Sequence, residues 1–296
     1  MLSLSAAAAG VSAAISAHPP LHWEDLGLSP IALDLGFFTL KWYSLAYLGG
    51  IILGYWQLGR MNREPGAPMA QRHADDVFFY ATLGIIFGGR LGYAVFYAPE
   101  LLTHPQNLIK LWEGGMSFHG GLIGTVLAIA WVSWRGQISF LRACDYISVC
   151  VPTGLLFGRC ANFVNAELWG RVTESTMPWI MTFPGGGPMP RHPSQLYEAL
   201  LEGLVLGVIM FVMFWRTRAR WRPGLLVGTF TLGYALARFT VEFYREPDTQ
   251  LLAFAQASGL SMGQWLTLPM MAVGLFFMAR GMILPPLSVA VKPAAA

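Results

Sequence analysis

The sequence predicts an all-α integral membrane protein with about seven transmembrane helices, the N-terminus outside, the C-terminus inside, and a small periplasmic cap. Three observations predict it. Only 12% of the 296 residues are charged while 55% are hydrophobic, and the mean hydropathy is +0.50; soluble domains carry roughly 25% charged residues. Apolar runs of membrane-spanning length recur along the chain. Lysine and arginine are shared unevenly among the connections between them.

The apolar runs fall at about 43–59, 77–98, 117–134, 144–159, 196–215, 224–241 and 264–283, each near the roughly 20 residues that a helix needs to cross a bilayer. Helices are expected because backbone facing lipid must satisfy its hydrogen bonds internally. The fourth run is the shortest, and Pro152 is expected to kink it. Arg60, Arg63 and Arg72 follow the first run, Arg135 and Arg142 the third, Arg216, Arg218, Arg220 and Arg222 the fifth, and Arg280 and Lys292 the seventh. These are 11 of the 19 basic residues. Positive charge stays cytoplasmic, and only an odd number of spans gives that pattern.

The longest outer connection, about 160–195, contains the extended-looking stretch Trp179 to Phe183 and the turn cluster Pro184 to Pro188, the expected cap. Residues 1–30 are then an N-terminal tail, 31–284 the transmembrane domain, and 285–296 a cytoplasmic tail. The first seventeen residues resemble a weak signal peptide without a basic start and are taken as an optional tail. Cys144, Cys150 and Cys160 form no CxxC pair and read as free thiols. A net charge of +3 without a basic tract gives no sign of a nucleic-acid partner. Trp42, Trp112 and Trp265 suit interfacial belts.

Polar residues in so apolar a chain need a reason. An arginine at bilayer depth costs about 2.5–3.5 kcal/mol on the mildest scale. The segment Gly158 to Gly170 reads GRCANFVNAELWG and places Arg159, Asn162 and Asn165 three apart, on one face of a helix, with Glu167 on a bend. An arginine grips a phosphate with two parallel bonds; the competing structural reading is a buried Arg–Glu bridge between span and cap. In Gly233 to Arg245, Tyr234, Arg238 and Glu242 follow at i, i+4 and i+8, with Arg245 beyond them, again one helical stripe. In GGMSFHGGLIG (Gly114 to Gly124), His119 enters the third span among glycines. It is a proton acceptor near neutral pH or simply a bonded neighbour in a glycine-packed helix. Tyr43 opens the first span as a belt aromatic or a site hydroxyl, and Arg90 is a further cation inside the membrane. In Arg191 to Glu198 (RHPSQLYE), Ser194 and Gln195 suit helix capping, with Glu198 in the first turn. No cluster has metal-ligand spacing, and there is no HExxH, GxSxG or Walker loop.

The motifs HGGLIG, GRxxNFxNxExWGR, RHPSQLYE and YxxxRxxxExxR, in this order, resemble the bacterial prolipoprotein diacylglyceryl transferases over about Ile31 to Arg280. One departure is Cys160-Ala161, where that family more often has an aliphatic residue followed by glycine; another is a tail before about Ala17 that is longer than usual there. The resemblance implies a multi-pass enzyme of the bacterial inner membrane. Its reaction moves the sn-1,2-diacylglyceryl group of phosphatidylglycerol to the lipobox cysteine thiol of a preprolipoprotein signal peptide and releases glycerol 1-phosphate, without metal or organic cofactor. The residue chemistry agrees with that. The thiol must lose a proton, for which His119 is the candidate base, with Tyr234 beside it. Arg159 and Arg238 suit the departing phosphate. Asn162, Asn165, Glu167, Gly170 and Tyr43 would position the glycerol headgroup, and Glu242 and Arg245 the outer rim. Two other readings compete. An acyltransferase would show an HxxxxD dyad, which His119 lacks, and a translocator would spread its charges through mid-membrane, where this chain concentrates them towards one side.

Overall fold

The computed structural model describes residues 20–36, 39–111, 114–174, 177–246 and 257–288. Most of the N-terminal tail, Trp112, Lys292, the middle of the 242–263 connection and the end of the C-terminal tail lie outside them. Among the described residues, each of the seven apolar runs is a helix: α1 (Trp42–Met61), α2 (Gln71–Phe96), α3 (Phe118–Arg135), α4 (Phe140–Val164), α5 (Ser194–Arg216), α6 (Leu225–Val241) and α7 (Met262–Ile283). Four of them, α2, α4, α5 and α7, are long and apolar enough to cross a membrane. Helix α6 is apolar but has 17 residues, α1 is diluted by tryptophan, tyrosine and glycine, and α3 by glycine, tryptophan, His119 and Arg135.

Two elements depart from expectation. Helix α4 is not short; it runs for 25 residues through Pro152. Proline removes a single N–H, and in apolar surroundings the remaining backbone groups still need their internal bonds. Helix α5 changes its winding, since Ala199–Val205 forms a π-helical stretch between regular segments. Such bulges are frequent at functional sites.

The chain forms two compact units. The first takes the described residues up to Leu53 together with Val151–Phe211 and Thr229–Phe276. Here residues assigned to the tail by sequence are built into structure. Strand β1 (Leu21–His22) pairs in parallel with β4 (Met181–Thr182), while β2 (Ile31–Asp34) and β3 (Thr39–Lys41) form an antiparallel ribbon. Trp23 donates from its indole to the Phe163 carbonyl at 2.8 Å and is buried with Ala166, Met181 and Phe183. An apolar side chain of this size buries its area where it finds partners, whatever its distance in sequence. Within the same unit, Gly203 lies where a Cβ would come 2.7 Å from Leu156 Cα, so α5 and α4 touch through backbone there.

The second unit takes Gly54–Cys150, Val212–Gly228 and the described residues from Phe277 onwards. Its centre is the pair α2–α3. Gly84, Gly88 and Gly92 face Gly120 and Gly124, and a Cβ on Gly120 would collide with the Gly88 carbonyl. Small residues permit this approach in a membrane helix pair. Gly120→Ala is therefore expected to destabilise the protein by about 1–3 kcal/mol through overpacking, despite alanine's better helix propensity of about 1 kcal/mol. Thermal unfolding in detergent would measure it, and an unchanged melting temperature would refute the contact.

Two buried charges hold this unit together. Arg90 is 4% exposed and donates to five carbonyls: Asn107 at 2.9 Å, Leu108 and Lys110 at 3.1 Å, Gly115 at 3.2 Å, and Gly114. The intramembrane cation noted in the sequence thus organises the loop that leads into α3. Asp145, on α4, accepts from the amides of Gly224 at 2.7 Å and Val227 at 2.9 Å. It satisfies N–H groups at the start of α6 that have no partner within the helix.

Candidate active site

In the first unit the charged motifs converge on one residue. Glu198, just past the first turn of α5, is fully buried and is met by three guanidinium groups. Arg159 Nε lies 2.7 Å from its Oε2, Arg238 Nη1 lies 3.4 Å from the same oxygen, and Arg245 Nη1 lies 3.3 Å from Oε1. The three arginine side chains keep 19%, 17% and 13% exposure, so the carboxylate is sealed and the cations are not. Helix α4 supplies Arg159, α6 supplies Arg238, and the turn after α6 supplies Arg245.

Each arginine has further contacts. Arg159 Nη1 donates to Asn162 Oδ1 at 3.4 Å, and its Nη2 lies 3.9 Å from Glu202 Oε2. Glu202 sits in the π-helical stretch, is fully buried, and neither of its carboxyl oxygens has a hydrogen-bond partner. Arg238 also binds Glu242 Oε1 one helical turn on. This i, i+4 pair is one edge of a larger network.

The asparagines follow their predicted helical face. Asn162 Nδ2 donates to Glu167 Oε1 at 2.8 Å, and Asn165 Nδ2 to the same oxygen at 3.2 Å. Glu167 stands on a sharp bend, flanked by Ala166 and Leu168 with φ of 53° and 57°. Left-handed backbone at non-glycine residues is costly and persists where its surroundings impose it. Here Gln195 Nε2 donates to the Glu167 carbonyl at 2.6 Å and Ser194 Oγ to the Leu168 carbonyl at 3.1 Å. That corrects the capping expectation: neither side chain caps α5, whose N-cap is Pro193 without a side-chain bond. Both clamp the bend that presents Glu167.

Gly170 owes its identity to packing. Its amide donates to the His192 carbonyl at 2.9 Å, it forms a bridge with Arg245, and a Cβ would stand 2.6 Å from the His192 carbonyl oxygen. Arg191 binds the Gly170 carbonyl at 3.0 Å and the Glu246 carboxylate at 3.0 Å. His192 Nδ1 pairs with Tyr197 Oη at 3.1 Å, and burial lowers its imidazole from the usual range. Tyr43 Oη donates to Tyr47 Oη at 3.2 Å and lies within electrostatic reach of Glu167 and Arg159. Tyr234, on α6, lies in the electrostatic field of Glu202, Arg238 and Arg159.

His119 belongs to the second unit. It occupies the first turn of α3 and is exposed; its imidazole makes no hydrogen bond to a described residue and packs edge-on against Phe118. The predicted residues thus divide. Tyr43, Arg159, Asn162, Asn165, Glu167, Gly170, Tyr234, Arg238, Glu242 and Arg245 lie in the first unit and His119 in the second. Local spacing assigns Glu198 only a helix-terminal role and does not single out Glu202 or Ser261. A carboxylate near two buried arginine motifs was the available signal for the two glutamates.

The arrangement can hold an anion. Three partly open guanidiniums are fixed by a carboxylate behind them, beside amide and phenol groups suited to hydroxyls. Comparison with known proteins gives the class. Residues 30–280 match the family described as prolipoprotein diacylglyceryl transferase. A protein of Erythrobacter litoralis is 57% identical over 282 residues, covering 95% of this chain and 99% of its own length. One from Zymomonas mobilis is 51% identical over 265 residues, covering 86% and 92%. One from Gluconobacter oxydans is 46% identical over 267 residues, covering 90% and 96%. All three carry the name phosphatidylglycerol–prolipoprotein diacylglyceryl transferase.

Proposed function

The chain belongs to the prolipoprotein diacylglyceryl transferase family, and from that premise we propose how its residues divide the reaction. The enzyme transfers the diacylglyceryl group of phosphatidylglycerol to prolipoproteins, the first step of lipoprotein maturation. In our reading the acceptor is the thiol of the lipobox cysteine. Its thiolate attacks the C3 carbon of the diacylglyceryl moiety, a C–S bond forms as the C–O bond to phosphate breaks, and glycerol 1-phosphate leaves with both bonding electrons. The thiol proton goes to the base.

The leaving group passes from a phosphodiester monoanion towards a monoester dianion, so cations already in place favour the transition state over the ground state. Arg159 and Arg238 take that role, with Arg245 at the rim. What supports it is the convergence of all three on buried Glu198. Glu198 holds the guanidiniums in one array, so no side chain has to reorganise as charge develops. Asn162, Asn165, Glu167 and Tyr43 position the glycerol hydroxyls, Gly170 keeps the bend in register, and Glu242 orients Arg238. His119 takes the thiol proton, with Tyr234 as the second candidate for it.

The placement follows from the same reading. The seven helices span the bacterial inner membrane as one transmembrane domain from 31 to 284, with the N-terminus and the 160–195 cap on the periplasmic side and the C-terminal tail in the cytoplasm. Four helices with spanning length and composition support it, as does the clustering of basic residues after the first, third, fifth and seventh.

The test is direct. Pure protein, phosphatidylglycerol vesicles and a lipobox peptide are expected to yield a diacylglyceryl mass increment on the cysteine that survives mild base. His119→Ala is expected to lower the rate by about 100-fold, within the range of a lost general base. A variant that keeps the wild-type rate would remove His119 from the mechanism.

A further inference from the structure

Glu242 is held from two sides. Its Oε1 faces Arg238, and its Oε2 accepts a hydrogen bond from Ser261 Oγ at 2.7 Å. Ser261 immediately precedes α7 and is 6% exposed; Glu242 and Gln264 are each 4% exposed. The serine is also half of a reciprocal cap. Gln264 N donates to Ser261 Oγ at 3.1 Å, and Ser261 N donates to Gln264 Oε1 at 3.0 Å. Both capabilities of this hydroxyl are used: its oxygen accepts from the helix end and its proton goes to the carboxylate. Between them, Gly263 leaves room for the carboxylate, because a Cβ there would stand 2.6 Å from Glu242 Cδ and closer still to Oε1.

We propose that Ser261 is a positioning residue of the transferase, locking the Glu242 carboxylate so that Arg238 presents its guanidinium to the phosphate. The inference rests on the assignment of Arg238 to that phosphate. A carboxylate bonded on one oxygen alone rotates about its terminal torsion. Bonded on both, it fixes the arginine that it faces. The start of α7 thereby sets the aim of a cation on α6, a dependence that no helical spacing within α6 encodes. Gln264 serves the cap, donates from Nε2 to the Phe239 carbonyl of α6 at 3.4 Å and makes no hydrogen bond to Glu242, so its loss loosens the same helix start without freeing the carboxylate, which makes it the control.

The experiment uses the full-length protein in phosphatidylglycerol-containing vesicles with a lipobox peptide, measuring kcat, KM for phosphatidylglycerol and the unfolding temperature. Ser261→Ala is expected to lower kcat roughly tenfold, the effect of one charge-assisted hydrogen bond, with KM changed less than about twofold. Ser261→Thr, which restores the hydroxyl, is expected to recover most of the rate. Gln264→Ala weakens the same cap and is expected to lower the unfolding temperature while keeping kcat within about twofold of wild type. If Ser261→Ala and Gln264→Ala lose rate in proportion to lost stability, or if Ser261→Ala keeps its rate, the positioning role is overturned. Arg238→Gln separates the underlying reading. A wild-type rate in that variant removes Arg238 from phosphate binding whatever Ser261 does. Loss of rate there, with no distinction between the other two variants, overturns the Ser261 role alone.

Discussion

Glu198→Ala is expected to cost the folded protein about 3–5 kcal/mol, the usual penalty when a buried ion pair loses one partner. Three guanidiniums meet this carboxylate at 2.7, 3.4 and 3.3 Å. With it gone they face one another, with Glu242 and the unbonded Glu202 as the remaining carboxylates nearby. The loss falls on stability first, as a lower unfolding temperature in detergent and less protein recovered from membranes, and then on activity, because the cations no longer share an orientation. Glu198→Gln keeps the shape and one acceptor oxygen, so it is expected to be milder in stability yet still impaired in rate. An alanine variant that melts within about 2 °C of wild type would show that the convergence on Glu198 contributes little.

Arg159→Lys is expected to lower kcat/KM by about 100-fold, near 2.7 kcal/mol of lost transition-state stabilisation. The substitution keeps the charge. It removes the planar fork that lets one side chain face Glu198 through Nε at 2.7 Å, Asn162 through Nη1 at 3.4 Å and Glu202 near Nη2 at 3.9 Å. A lysine ammonium is a single point charge and cannot keep all three directions while also meeting a phosphate. Initial rates against phosphatidylglycerol concentration measure it. A lysine variant within about threefold of wild type would show that charge alone, and not bidentate geometry, is what this position supplies.

Much of this protein was legible in its residues because the bilayer restricts what a chain can do. Seven apolar runs became seven helices since lipid leaves the backbone few alternatives, and arginines stood out because such surroundings penalise them. The spacing of Arg159, Asn162 and Asn165 gave a shared face, and the bend at Glu167 followed. Local pattern failed where a residue's partner was far away in the chain. Ser194 and Gln195 had the chemistry of caps, and they instead clamp carbonyls at 168 and 167. Leu21 and His22 had the look of a tail, yet they add a strand to Met181–Thr182. The π-winding of Ala199–Val205 leaves no periodic trace in a run that is apolar throughout.

The sequence by itself determined the class of molecule, the positions of its helices and which polar side chains had to be accounted for. Each of those follows from composition and from spacing along one element, which local physics reads directly. Only the tertiary structure decided that Glu198 is the common partner of three arginines and that a serine capping one helix bonds the carboxylate that faces a cation on another. Partner choice depends on which buried groups arrive at the same point in space, and the cost of leaving a charge unpaired there is settled by the packing of the whole unit.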